Sequence, residues 1–140
     1  MKQKVMVRIH SEQHYEGESP EIVEFMTEGT MEETDDGFLI SYEETELTGL
    51  QGTTTTILRE KERIVLKRQG TLKSEMIFAI DQEYRSLYDM GVGALLITIR
   101  TTVLVQVMDM GGGFADIVYD LIIEDSIAGQ VRYHIDIVPV

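Results

Sequence analysis

From Ala94 to Val107 the chain alternates without a break. Leu95, Ile97, Ile99, Thr101, Val103, Val105 and Val107 hold every second place, with Leu96, Thr98, Arg100, Thr102, Leu104 and Gln106 between them. A period of two over fourteen residues, rich in β-branched side chains, builds a strand and fits no helix. At about 3.3 Å per residue it would run roughly 46 Å, too long for one flat edge, so it is expected to bend or to carry a bulge.

The same period recurs along the chain. Val5, Val7 and Ile9 alternate with Lys4, Met6, Arg8 and His10, and Val23, Phe25 and Thr27 alternate with Glu24, Met26 and Glu28. Phe38, Ile40 and Tyr42 follow the turn Asp35-Asp36-Gly37, where Asp-Gly supplies the positive φ angles of a tight hairpin. An irregular connection is expected over Glu43–Gly52, then strands over Thr53–Arg59, Ile64–Gln69, Leu72–Ile80 and Glu83–Tyr88. In the third of these Met76, Phe78 and Ile80 share a face. Loops are expected at Glu16–Pro20 and Asp89–Gly93, and Gly111-Gly112-Gly113 turns the chain into Ala115–Glu124. Ser126–Gln130 turns it again into Val131–Val138.

About ten short strands with connections too short for parallel crossovers make an antiparallel, mostly meandering sheet. A sheet of that width with one apolar face must curl, and closure removes its exposed edges. An all-β barrel of eight to ten strands, spanning residues 1–140 as one domain, is therefore expected, with a two-sheet sandwich as the alternative.

Charge excludes several partners. The net charge is −13, and between Arg8 and Arg59 thirteen Asp and Glu stand with no Lys or Arg. Such a surface repels a phosphate backbone and an anionic membrane, so neither nucleic acid nor membrane is an expected partner. Cysteine is absent, which excludes disulfides and thiolate metal sites. The opening Met1-Lys2-Gln3-Lys4-Val5 enters the first strand with no apolar h-region, and no long apolar run follows. The expectation is a soluble cytoplasmic protein without a signal peptide.

The segments Phe38–Glu44, Thr54–Ile57, Arg68-Gln69-Gly70, Met76-Ile77-Phe78 and Val118–Leu121, in this order, resemble the YwiB-like family of uncharacterised bacterial proteins. Where similar sequences show Tyr-x-Thr-Pro-Tyr-Gly, this chain has Tyr84-Arg85-Ser86-Leu87-Tyr88-Asp89. The resemblance implies a β-barrel of the calycin (lipocalin-like) kind and no established activity.

Strand parity picks out one misfit. If Ile64 and Leu66 point inward, so does Arg68. By the same rule Tyr42 follows Phe38 and Ile40 inward, Glu44 follows if the strand continues, Tyr119 goes with Ile117 and Tyr133 with Val131. An inward guanidinium must be paired or hydrogen-bonded, and Glu44 and the tyrosine hydroxyls are the available partners. Two readings follow. Arg68, Tyr42, Tyr119, Tyr133 and Glu44 line a lumen that recognises a small, anionic ligand, or Arg68 closes a barrel end with its head at the rim.

Other features carry less. His10, Glu12 and His14 share a face and could meet His134 and Asp136 if the first and last strands are neighbours. That spacing suits zinc, yet an ordinary solvated strand face explains it, and no metal site or cofactor is expected. No nucleophile–base spacing is visible, so catalytic residues are not assigned, and a small hydrolase or isomerase at the barrel mouth is only a second alternative. Leu96, Leu104, Val118 and Ile122 fall on the face opposite the core, where they would form a homodimer contact or remain as scattered apolar residues. The leading expectation is a non-enzymatic barrel holding a small ligand, the alternative a structural or interaction barrel acting as a homodimer.

Overall fold

Period-two patterning becomes ten strands and no helix among residues 2–15, 17–89 and 91–140, which the computed structural model describes. Met1, Glu16 and Met90, which fall in the expected N-terminal run and two expected loops, lie outside the described residues. The strands are β1 (Lys2–Tyr15), β2 (Glu21–Glu33), β3 (Gly37–Glu43), β4 (Thr54–Glu60) and β5 (Ile64–Gln69). They continue with β6 (Ser74–Phe78), β7 (Glu83–Asp89), β8 (Ala94–Asp109), β9 (Gly112–Ile123) and β10 (Ser126–Pro139).

Every ladder is antiparallel, in the order β6-β5-β4-β3-β2-β1-β10-β9-β8-β7. Consecutive strands are therefore neighbours, and the first pairs with the last, from Val5 opposite Pro139 to Tyr15 opposite Gly129. The two free edges, β6 and β7, come together in turn. Lys73 and Asp89 exchange backbone bonds of 2.9 Å in both directions, and Ile80 bridges to Thr101 of β8. The result is a nearly closed barrel, not a sandwich, with a seam at β6–β7.

Inward residues fill the middle of the barrel. Val5, Val7, Ile9, Ile40, Ile64, Ile99 and Ile117 are all at most 1 % exposed. Each such side chain contributes about 1.5–3 kcal/mol of burial relative to exposure. Phe78 and Tyr119 meet across the lumen with ring centroids 5.0 Å apart. One end is sealed by side chains, since Arg59 Nε donates to Gln106 Oε1 at 3.0 Å and Gln106 Nε2 to the Glu60 carbonyl at 3.0 Å.

The long strand does carry a bulge. Thr101 lies opposite Tyr119, but Val103 lies opposite Val118, so Thr102 is an extra residue. It reverses parity beyond it. Ile97, Ile99 and Thr101 are buried, whereas Val103, Val105 and Val107 are 37 %, 51 % and 57 % exposed. Leu104, expected outside, instead packs against the core. Two further expectations need correction. Ile80 leaves the face of Met76 and Phe78 and is exposed, because the chain quits β6 at Phe78 to bridge β8, and Ala79 is buried in its place. The last turn sits at Glu124-Asp125, with φ of 50° and 67°, and not at Ser126–Gln130. Both residues take the left-handed region that a two-residue hairpin demands, so β10 starts at once and absorbs its irregularity as a register shift between Ile127 and Gly129.

The parity reversal has a direct test. Leu104→Asp should lower unfolding free energy by about 1–3 kcal/mol in urea titrations, because it places a carboxylate against the core. Val105→Asp, one residue on, should stay within about 0.5 kcal/mol of the parent.

Candidate functional site

The end of the barrel opposite the Arg59–Gln106 seal is built differently. Arg68 stands at the end of β5, between Thr55 of β4 and Ser74 of β6, on the face of Ile64 and Leu66. Tyr42, Tyr119 and Tyr133 reach the same end from β3, β9 and β10, each less than 9 % exposed. Parity places all four as expected. Glu44 lies just beyond β3 and is buried, its backbone still bonded to Thr53.

Glu44 does not pair with Arg68. Its carboxylate accepts from Thr48 Oγ1 at 2.7 Å and from Thr55 Oγ1 at 2.7 Å, so local hydroxyls satisfy it. Arg68 belongs to none of the ion pairs among the described residues. Its Nε is buried without a hydrogen-bond partner, and so are the Tyr42 hydroxyl and Ser74 Oγ. Orphaned polar atoms of this kind are rare in native proteins, and three gathered at one end call for an explanation.

Two cavities meet at this arginine. One of about 280 Å³ is lined on its apolar side by Met76, Ile97, Leu121 and Val131, with Tyr119 at its wall. The other, about 350 Å³, lies under the loop that carries Leu47, Thr48 and Leu50 and reaches Tyr42 and Glu44. Ser11, Gln13, Arg68, Tyr88 and Tyr133 border both, so the cavities adjoin as two lobes at this end of the barrel. A third cavity of about 650 Å³ lies in the β6–β7 seam, and Arg68 borders it as well.

Burial sets the charge states. It pushes the Tyr42 hydroxyl far above its ordinary range, with Tyr133 and Glu44 adding to the effect. Tyr119 is pushed up by burial and by Tyr133. Burial raises Tyr133 too, while the Arg68 charge pulls the other way. Burial opposes the Arg68 charge and the nearby Glu44 carboxylate favours it, so the guanidinium stays charged. The site thus offers one fixed cation and three neutral hydroxyl donors against an apolar wall.

The histidines lie elsewhere. β1 and β10 are neighbours, and His10 faces His134 across the ladder on the outer surface. His10 bonds Glu24 at 2.9 Å and Glu12 at 3.2 Å, which holds its imidazolium above the ordinary value, Glu12 contributing most. His134 contacts Asp136 at 3.2 Å. No three His, Cys, Asp or Glu among the described residues are grouped to hold a metal ion. Neither lumen lobe nor the seam cavity is lined by a histidine.

Ser11, Gln13, Tyr88, Ser74 and the 45–50 loop are lining residues that sequence reasoning missed. Ser11 had a usable signal, because it shares parity with Val5, Val7 and Ile9. The polar stretch around it draws the eye to the outward histidines instead. Ser74 had the same signal, sharing parity with Met76 and Phe78, whereas Tyr88 offered none, since its place depends on where β6 and β7 meet.

The fold and the site together define a small antiparallel barrel with an unpaired arginine at the head of its lumen. The chain belongs to the family described as a domain of unknown function, DUF1934, whose model matches residues 7–135. Its fold is similar to that in the crystal structure of the ywiB protein from Bacillus subtilis, at 19 % identity and a TM-score of 0.89. That likeness covers 99 % of this chain and 93 % of the other and shows the shared fold. No curated protein matches the chain.

The buried tyrosines predict an alkaline limit. Their folded pKa values are raised, so their contribution to stability is complete below the unfolded value near 10 and is lost as pH rises above it. Each should cost about 1.4 kcal/mol per pH unit there. Urea midpoints measured from pH 8 to pH 11 should be level up to about pH 10 and then fall steeply, with the tyrosinate absorbance of these three residues appearing together with unfolding.

Proposed function

We propose that the protein binds a small anionic molecule in its lumen. Arg68 is the charge partner, Tyr42, Tyr119 and Tyr133 are the hydrogen-bond donors, and the apolar lobe receives the body of the ligand. One observation carries the reading: Arg68 is an inward cation with a buried, unpartnered Nε and no carboxylate paired to it among the described residues. A guanidinium kept for structure would be compensated, since a buried charge without a partner costs several kcal/mol. A ligand carboxylate, sulfonate or phosphate supplies the missing partner in a bidentate geometry suited to arginine. Lobes of about 280 and 350 Å³ match the scale of small-molecule sites. Glu44, held by its threonines, accepts a hydrogen bond from a ligand O–H or N–H and rejects a second negative charge on its side.

The test uses 1-anilinonaphthalene-8-sulfonate, an aromatic anion whose fluorescence rises on burial. Arg68→Met should weaken its binding at least tenfold, the loss of about one charge-assisted hydrogen bond. The same variant should leave thermal stability unchanged or raise it, because it removes a half-buried charge whose Nε has no partner. A variant that binds as well as the parent but unfolds several kcal/mol more easily would make Arg68 a structural group.

A second reading concerns association. The bulge leaves Val103, Val105 and Val107 exposed on the outer face, with Val103 directly opposite Val118. Leu96 and Ile122 continue this apolar face, and Leu104 does not belong to it. Its charges are already paired, Arg100 with Asp120 at 2.9 Å and Arg132 with Asp116 at 3.7 Å. Two copies can approach through this neutral face, whereas the acidic surface of β2 and β3 would repel itself. Sedimentation of the parent should show a dimer at high micromolar concentration and Val105→Glu/Val118→Glu a monomer; a monomeric parent would dispose of the idea.

A further inference from the structure

The seam between β6 and β7 does more than end the sheet. Extending the Lys73–Asp89 register sets Glu75 opposite Leu87 and Ile77 opposite Arg85, the pairs whose backbone groups point across the gap. No ladder joins them among the described residues, although β6 and β7 run side by side. The hairpin is splayed between its fastened ends, and the cavity of about 650 Å³ occupies the gap.

That cavity crosses the wall. Its rim carries outward side chains, among them Lys67, Lys73, Glu75 and Arg85, and its floor carries the inward pair Arg68 and Ser74. The floor residues stand opposite each other in the β5–β6 ladder, and each has a buried polar atom without a partner. Arg68 also borders both lumen lobes. One guanidinium therefore faces both the seam and the interior. The seam is also cationic on a molecule of net charge −13: Lys67, Arg68, Lys73 and Arg85 against Glu75 and Asp89.

We propose that the splayed β6–β7 seam is the entrance to the lumen for a small anion, which Lys67, Lys73 and Arg85 attract and the Arg68–Ser74 pair receives. This rests on the lumen reading above and adds to it the route and the residue that takes over the charge. A positive slot on an acidic body concentrates anions locally, and its effect fades with salt. Parting a pair of edge strands that share no ladder bonds between their fastened ends breaks no backbone hydrogen bond, which makes this wall easier to open than any other strand junction. Ser74 Oγ supplies a donor beside Arg68, so the anion finds two partners at the threshold before its body moves past Met76 into the apolar lobe.

The chain has no cysteine, so a lock can be built cleanly. In Glu75→Cys/Leu87→Cys, oxidation should tie the seam shut. Stopped-flow fluorescence with 1-anilinonaphthalene-8-sulfonate should then show association and dissociation both slowed at least tenfold, at nearly unchanged affinity, with full recovery on reduction. The reduced protein controls for folding. Should the cysteine pair not fold, Lys73→Glu/Arg85→Glu should lower the association rate several-fold at low ionic strength, and 0.5 M salt should abolish the difference. Binding by the parent with rates that neither the lock nor the charge reversal alters would overturn the entrance and leave the lumen site standing. Absence of binding by the parent would overturn both.

Discussion

The pairing of β1 with β10 is the constraint on which the barrel depends. Eleven residue pairs, from Val5–Pro139 to Tyr15–Gly129, join the two ends of the chain. Without them the meander would be two separate sheets, each with a long exposed edge and too few neighbours to cover its apolar face. Once the ends are joined, every inward side chain is committed to one interior. The remaining gap falls between β6 and β7, the two ends of the strand order. The seam is a consequence of that topology, and the short β6 makes it a weak one.

Packing is uneven along the barrel axis, and the unevenness locates the site. The middle is aliphatic, and at one end Arg59 donates to the Gln106 side chain and Gln106 to the Glu60 carbonyl. At the other end Tyr42, Arg68 and Ser74 keep buried polar atoms without partners. Each such atom forfeits about 1–3 kcal/mol of hydration, so this end is held together by the core beneath it and the threonine-bound Glu44 beside it. Of the buried polar atoms without partners among the described residues, only Thr101 Oγ1 lies away from this end.

Much of this was legible in the residues. The period of two named the strands, Asp-Gly placed the β2–β3 hairpin although neither Asp36 nor Gly37 takes the positive φ expected there, and parity sent Arg68, Tyr42, Tyr119 and Tyr133 inward. Parity failed where one residue was added. Thr102 looks like its neighbours, and nothing in a run of β-branched residues marks where a ladder slips, so Leu104 and Val103–Val107 exchanged faces. The partnership of Arg68 with Glu44 failed for another reason: parity puts two residues on a face but says nothing of competitors, and Thr48 and Thr55 were closer to the carboxylate.

Local chemistry, then, decided strand identity, the antiparallel arrangement and the sign of the surface, because side-chain alternation, turn conformations and charge repulsion act over a few residues. Tertiary structure alone decided that β1 meets β10, that Thr102 is the bulge, that Arg68 goes unpaired and that β6 and β7 splay beside it. Those outcomes depend on which of several distant groups come within a few ångströms once the sheet has curled, and no short-range rule carries that information.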